Sequence, residues 1–142
     1  MASRDGMIAA GQVKVLYDSG LAWVQLGQDL NGSEYDYFGG SVDIAGNGKR
    51  ICAHGGSAQV TIFEYSESTW VQVHQQMNSG YKTRMSSDGS IVVIGYSTGT
   101  STAGEVKVFK DNGLEWVQVG GNIIGEAARD YLGSSVTRNV DR

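Results

Sequence analysis

The 142-residue chain predicts an all-β fold, a β-propeller of three four-stranded blades per chain, and three observations carry that prediction. The string Trp23-Val24-Gln25-Leu26-Gly27 returns as Trp70-Val71-Gln72-Val73-His74 and as Trp116-Val117-Gln118-Val119-Gly120, with tryptophans 47 and 46 residues apart. Each tryptophan follows an apolar β-branched residue, Val13, Val60 or Val106, by ten positions. The units hold short runs suited to strands, divided by turn residues, and no stretch keeps a capped 3.6-residue apolar period. A four-strand antiparallel unit repeated at this period indicates propeller blades; a β-helix needs shorter coils, and a sandwich needs no repeat. The chain is thus one domain, residues 1–142, of three repeats at about 1–47, 48–88 and 89–142.

From the propeller axis outward, the strands of a blade are named innermost, second, third and outer. In the first unit Met7–Ala10 is the second strand and Trp23–Gly27 the outer one. Gly40–Ala45 is innermost, Arg50–His54 second, Gln59–Glu64 third and Thr69–Val73 outer. The last unit reads Ser90–Tyr96, Glu105–Phe109, Glu115–Val119 and Ser134–Asn139. Asn47-Gly48, Asp88-Gly89 and Asp111-Asn112-Gly113 supply the positive φ of tight antiparallel connections. Second strands such as Ile51-Cys52-Ala53 and Ile91–Ile94 are apolar on both parities, as strands covered on both faces are. Along the outer strands Trp and Gln share one face, where the indole can bury a large area against the next blade. The first and third units are close copies: Leu30-x-Gly32 matches Ile123-x-Gly125, and Gly40-Ser41-Val42 matches Ser134-Ser135-Val136 after one inserted residue. The second unit has a shorter inter-unit loop.

With 11 Lys+Arg against 15 Asp+Glu, a net charge of −4 and a pI near 5.0, the chain lacks the basic surface a nucleic-acid partner requires. No apolar run reaches the ~20 residues of a membrane span, and Met1–Ala10 lacks the basic start and apolar stretch of a signal peptide. No membrane insertion is expected. Cys52, the one cysteine, cannot form an internal disulfide.

The unit G-x-V-x-V-[Phe/Tyr]…W-V-Q-[Leu/Val]-G…G-x-S-V…D-G-x-x-[Val/Ile]-x-x-G resembles the FG-GAP repeats of integrin-α-like β-propellers, above all the W-x-Q-L-G variety in surface proteins of algae and marine bacteria. The resemblance covers essentially the whole chain. It implies an adhesion or ligand-binding scaffold, at the cell surface or outside the cell. Calcium-binding blades of that family carry D-x-[Asp/Asn]-x-[Asp/Asn]-G. The matching segments here, Asp43–Gly48 and Met85–Gly89, lack the alternating oxygen ligands of a hard cation, so no metal or other cofactor is expected.

Other signatures fit less well. Ser86–Ser90 is near the Asp-box of sialidases but lacks its tryptophan, and the glycine pairs fall at different repeat positions, unlike those of kelch blades. Cys52 and His54 share a strand face, but with no third ligand nearby they read as a buried pair between blades. No Ser/His/Asp or paired-carboxylate constellation emerges from spacing, so no catalytic residue is named and a non-enzyme is expected. Two alternatives stand beside it: a structural piece of a larger propeller with no ligand of its own, and a hydrolase or lyase with an axial site, with Asp43, Lys82, Arg84 and Arg138 as its candidates.

Residues common to all units, Trp23, Trp70 and Trp116 with Gln25, Gln72 and Gln118, are assigned to blade architecture. Pattern-breaking residues fall in two loop sets: the inter-blade connections 34–37, 78–82 and 126–131, and the second-to-third strand loops at Gly11, 54–57 and 96–102. Propeller connectivity brings both to one end of the ring. Tyr35, Tyr37, Tyr96, Arg129 and Tyr131 are therefore the candidate residues for a glycan or protein ligand, combining aromatic faces with hydrogen-bonding groups.

Three blades fall short of the roughly four to eight of a closed ring. Asp5-Gly6 and Asp141-Arg142 lie at the same phase of the repeat, so the first blade lacks its innermost strand and Ser134–Val140 is an innermost strand without a blade. The expected partner is a second copy, exchanging these strands to complete a six-bladed homodimer.

Overall fold

The computed structural model describes residues 10–55, 59–78, 82–97 and 103–137. Among them the chain is all-β, with no helix and with four sheets, none of which closes on itself. No helix is long and apolar enough to cross a membrane among these residues.

The amino-terminal part forms two short ribbons. In the first, β1 (Gln12–Val13) pairs with β4 (Leu30–Asn31); in the second, β2 (Leu16–Asp18) pairs with β3 (Trp23–Gln25). The central sheet runs in chain order through β5 (Ser41–Ile44), β6 (Arg50–His54), β7 (Gln59–Ser66) and β8 (Thr69–Asn78). The carboxyl-terminal sheet contains β9 (Lys82–Met85), β10 (Ile91–Tyr96), β11 (Glu105–Asp111) and β12 (Trp116–Gln118), with β13 (Ile123–Ile124) also paired to β11. All of these strand pairs are antiparallel.

Arg50–His54 matches its expected bounds, and β7 and β8 run further than expected. One glycine position explains the length of β8. Gly27 and Gly120, at φ +76° and +69°, lie in the breaks between β3 and β4 and between β12 and β13. His74 stands at that position in the second unit, so the strand runs on unbroken and the connection after it shortens. Met7–Ala9 and Arg138–Asn139 lie outside the described residues, and the expected strand at 134–139 shows no strand pairing over 134–137. The single bridge nearby joins Leu132 to Gly104, repeating that between Phe38 and Gly11.

Two apolar cores alternate with the sheets. Val13, Val15, Leu30 and Phe38 of the amino-terminal ribbons and their loop meet Ile51, Ala53 and Trp70 of the central sheet. The opposite face of that sheet sends Cys52, Val60 and Ile62 against Met85, Val92 and Ile94. Strand β6 is therefore apolar on both parities because both its faces are covered.

The tryptophan packs in the direction opposite to the one expected. Trp70 is 3% exposed and sits on the preceding unit, not the next. Its indole N–H donates to the Leu26 carbonyl at 2.8 Å, and Gln28 brackets its backbone, accepting from the Trp70 N–H at 2.9 Å and donating to its carbonyl at 2.7 Å. A Cβ at Gly27 would lie 2.6 Å from the Trp70 Cδ1, so this glycine is required by contact as well as by φ. Side chains also bind β5 and β9 together across sheets: Ser41 Oγ accepts the Thr83 N–H at 3.1 Å and Asp43 Oδ2 accepts the Met85 N–H at 2.8 Å. Arg50 joins Glu64 to Asp111, each at 2.8 Å, with its guanidinium 5.9 Å from the Trp116 ring centroid.

Candidate ligand-binding site

The candidate loops share one local structure. At residues 33–40 the Asp36 N–H donates to the Ser33 carbonyl, the Phe38 N–H to Ala10 and the Gly40 N–H to Tyr37. Residues 127–134 repeat this: Asp130 donates to Ala127, Leu132 to Ala103 and Ser134 to Tyr131. Tyr35 and Tyr37 have φ of +62° and +48°; Arg129 and Tyr131, their counterparts, have +75° and +50°. A bulky side chain held at positive φ costs on the order of 1–3 kcal/mol and persists only where its surroundings dictate it. The backbone thus presents Tyr35, Tyr37, Arg129 and Tyr131 outward, all exposed.

Beside the first of these turns lies a polar cavity of about 160 Å³, lined chiefly by Asn31, Ser33, Asp36, Gln59, Thr61 and Gln72 over the rings of Phe38 and Phe63. It brings the inter-unit connection and the β6–β7 connection together. Gly55, in the latter, has no side chain where Asp36 sits: a Cβ there would lie 2.5 Å from Oδ1. His54, the last residue of β6, is buried. Burial lowers its pKa below 6.5; the nearby Asp36 carboxylate opposes that shift and Lys82 adds to it. The imidazole is accordingly neutral at pH 7.

The five sequence candidates fall into two groups. Tyr35 and Tyr37 flank Asp36 in the chain and are exposed beside the cavity turn, but of the three only Asp36 lines the cavity. Tyr96, half-buried at the end of β10, adjoins the second turn: a Cβ on Gly133, two residues beyond Tyr131, would lie 2.7 Å from the Tyr96 nitrogen. Tyr35 and Tyr37 are the counterparts of Arg129 and Tyr131 two units on, whereas Tyr96 has no counterpart in the first group. Asp36, Gln59, Thr61 and Gln72 were not among the candidates. Asp36 had a signal, its alignment with Asp130 one residue before a tyrosine in both copies, whereas the Gln59–Thr61 face becomes part of a site only through packing between sheets.

A larger cleft of about 300 Å³ is mostly apolar, lined by Val13, Val15, Leu16, Val42, Ile44 and Ile51 beside Lys14 and Asp43. Asp43 accepts two backbone N–H groups, those of Ile44 and Met85, and Arg84 donates to the Thr83 carbonyl. Arg138 lies outside the described residues. Burial pushes the Cys52 thiol up to about 11, against a hydrogen bond from the Thr83 hydroxyl at 3.4 Å. Among the described residues no three His, Cys, Asp or Glu side chains cluster as metal ligands.

No protein-family model and no curated protein matches the chain. Solved structures do. One, provisionally named a 6-phosphogluconolactonase, from Bacteroides fragilis, superposes with a TM-score of 0.62 at 15% identity over 87% of this chain. A second with the same provisional name, from Bacteroides uniformis, gives 0.56 at 13% identity over 81%. The chain spans 36% of the length of each. At such identity the likeness is one of fold: a propeller-like β architecture.

Proposed function

We propose that the chain is a non-enzymatic binding or adhesion module, an arc of three propeller blades of the FG-GAP type that a second copy extends to six. The observation that carries the binding role is the polar cavity at the Tyr35-Asp36-Tyr37 turn. Amide, hydroxyl and carboxylate groups around its wall suit a polyhydroxylated ligand, and the exposed tyrosines offer faces on which a sugar ring can stack. Its volume, about 160 Å³, is below the ~300–1,000 Å³ of sites that enclose a whole drug-sized ligand. One sugar ring at the end or branch of a glycan is therefore the unit bound.

A glycan array followed by titration of the best ligand tests this. Tyr37→Ala and Asp36→Asn should each weaken binding about tenfold or more with the fold unchanged by circular dichroism. Absence of binding across the array, or a ligand indifferent to both substitutions, overturns the assignment. The provisional names of the structural neighbours support a second reading, hydrolysis of a phosphorylated sugar lactone. Turnover of such a lactone that disappears in His54→Gln would favour it.

A further inference from the structure

The interface between the first two units has unfilled halves at both ends of the chain. On its receiving side stand Val13, Val15, Leu26, Leu30 and Phe38; their counterparts in the last unit are Val106, Val108, Val119, Ile123 and Leu132, all apolar. Leu30 is 6% exposed in the interior interface, whereas Ile123 is 56% exposed. On the inserting side Trp70 is 3% exposed, but Trp23, its counterpart in the first unit, is 72% exposed. Leu16, the counterpart of the half-buried Phe63, is 51% exposed beside it. Gly27, on which Trp70 rests, corresponds to Gly120, and among the described residues nothing lies within 4 Å of a Cβ built there. One end carries the plug of an interface seen inside the molecule, and the other end carries its socket.

We propose that Trp23 of one copy docks on Gly120 of a second copy, its indole N–H donating to the Val119 carbonyl as Trp70 donates to Leu26. The proposal rests on reading the sheets as propeller blades. The contact is head-to-tail, so it generates a ring where the rotation closes. Two three-blade copies give six blades, within the ~4–8 of known propellers, whereas three copies give nine. A dimer with two identical junctions is the assembly that fits.

Sedimentation equilibrium of the 142-residue chain should report twice its 15.2 kDa mass. Trp23→Ala removes the plug and Gly120→Asn fills the socket, asparagine tolerating the left-handed backbone. Among the described residues both sites are open, so these variants should fold as monomers, with dimer affinity reduced at least about tenfold. Mixing the two should restore association, because the mixed pair keeps one whole junction. A monomeric parent chain, or a dimer that neither substitution weakens, overturns the proposal. Trp70→Ala separates this failure from failure of the blade reading. If it destabilises the chain while Trp23→Ala leaves a dimer intact, only the docking is wrong; if it has no effect on stability, the template interface is wrong.

Discussion

His54 illustrates how one side chain couples the candidate site to stability. Its neutral ring is buried between sheets, and burial, more than the opposing Asp36, sets its pKa below 6.5. The unfolded chain therefore binds more protons than the folded one once the pH falls through 6.5, and stability rises with pH across that window. The urea midpoint should fall between about pH 8 and about pH 5.5, and His54→Gln should flatten that fall; an unchanged slope in the variant would contradict it. The carboxylates act lower. Asp88 is held at about 2 by the Ser86 and Ser90 hydroxyls and the Ser90 N–H, so its contribution is present above 3.8 and is lost as the pH falls through about 2. Cys52, with its thiol pushed up to about 11 in a fully buried site, should resist a thiol reagent in the native state and react fully in denaturant.

Among the elements, the outer strand depends most on a single residue. Gly27 breaks it by its positive φ and leaves the gap into which the Trp70 indole fits. Gln25 then bridges the break, its amide donating to Asp29 at 2.7 Å, and Gln118 does the same with Asn122 at 2.7 Å. The glutamine of the repeated string thus secures the bend in its own strand. Gly27→Ala adds backbone strain and a methyl group 2.6 Å from the indole, and should cost about 1–3 kcal/mol. Gly20→Ala is the control, since its φ of +86° imposes similar strain with nothing within 4 Å among the described residues. Equal losses of stability in the two variants by thermal melting would show that the indole does not press on Gly27.

At the scale of the whole molecule, the two cores lie on opposite faces of the central sheet, so each unit is stabilised through its neighbours. Trp70 is the largest side chain of the first core and supplies its indole hydrogen bond. Its removal, Trp70→Ala, should cost about 3–5 kcal/mol and loosen the amino-terminal ribbons from a central and carboxyl-terminal pair still joined by the second core and Arg50. Hydrogen exchange should then show amides of β1–β4 opening well before those of β9–β11. Uniform acceleration along the chain would mean that the three units melt as one.

By itself the sequence determined that the chain is all-β, where most strands lie and where they turn. These follow from local alternation, Gly-containing turns and the recurring Trp-Val-Gln string, all contained in short windows. It also marked the turns bearing Tyr35, Tyr37, Arg129 and Tyr131, since an inserted residue and aromatic side chains show at their positions. The side on which the tryptophan packs was decided by tertiary structure: alternation says that one face of a strand is buried but not which neighbour covers it, and Trp70 turned toward the unit before it. The polar cavity was decided in the same way. Asp36, Thr61 and Gln72 lie on three segments, and a wall made of all three exists only once the inter-sheet packing of Phe38 and Phe63 has set the distance between them.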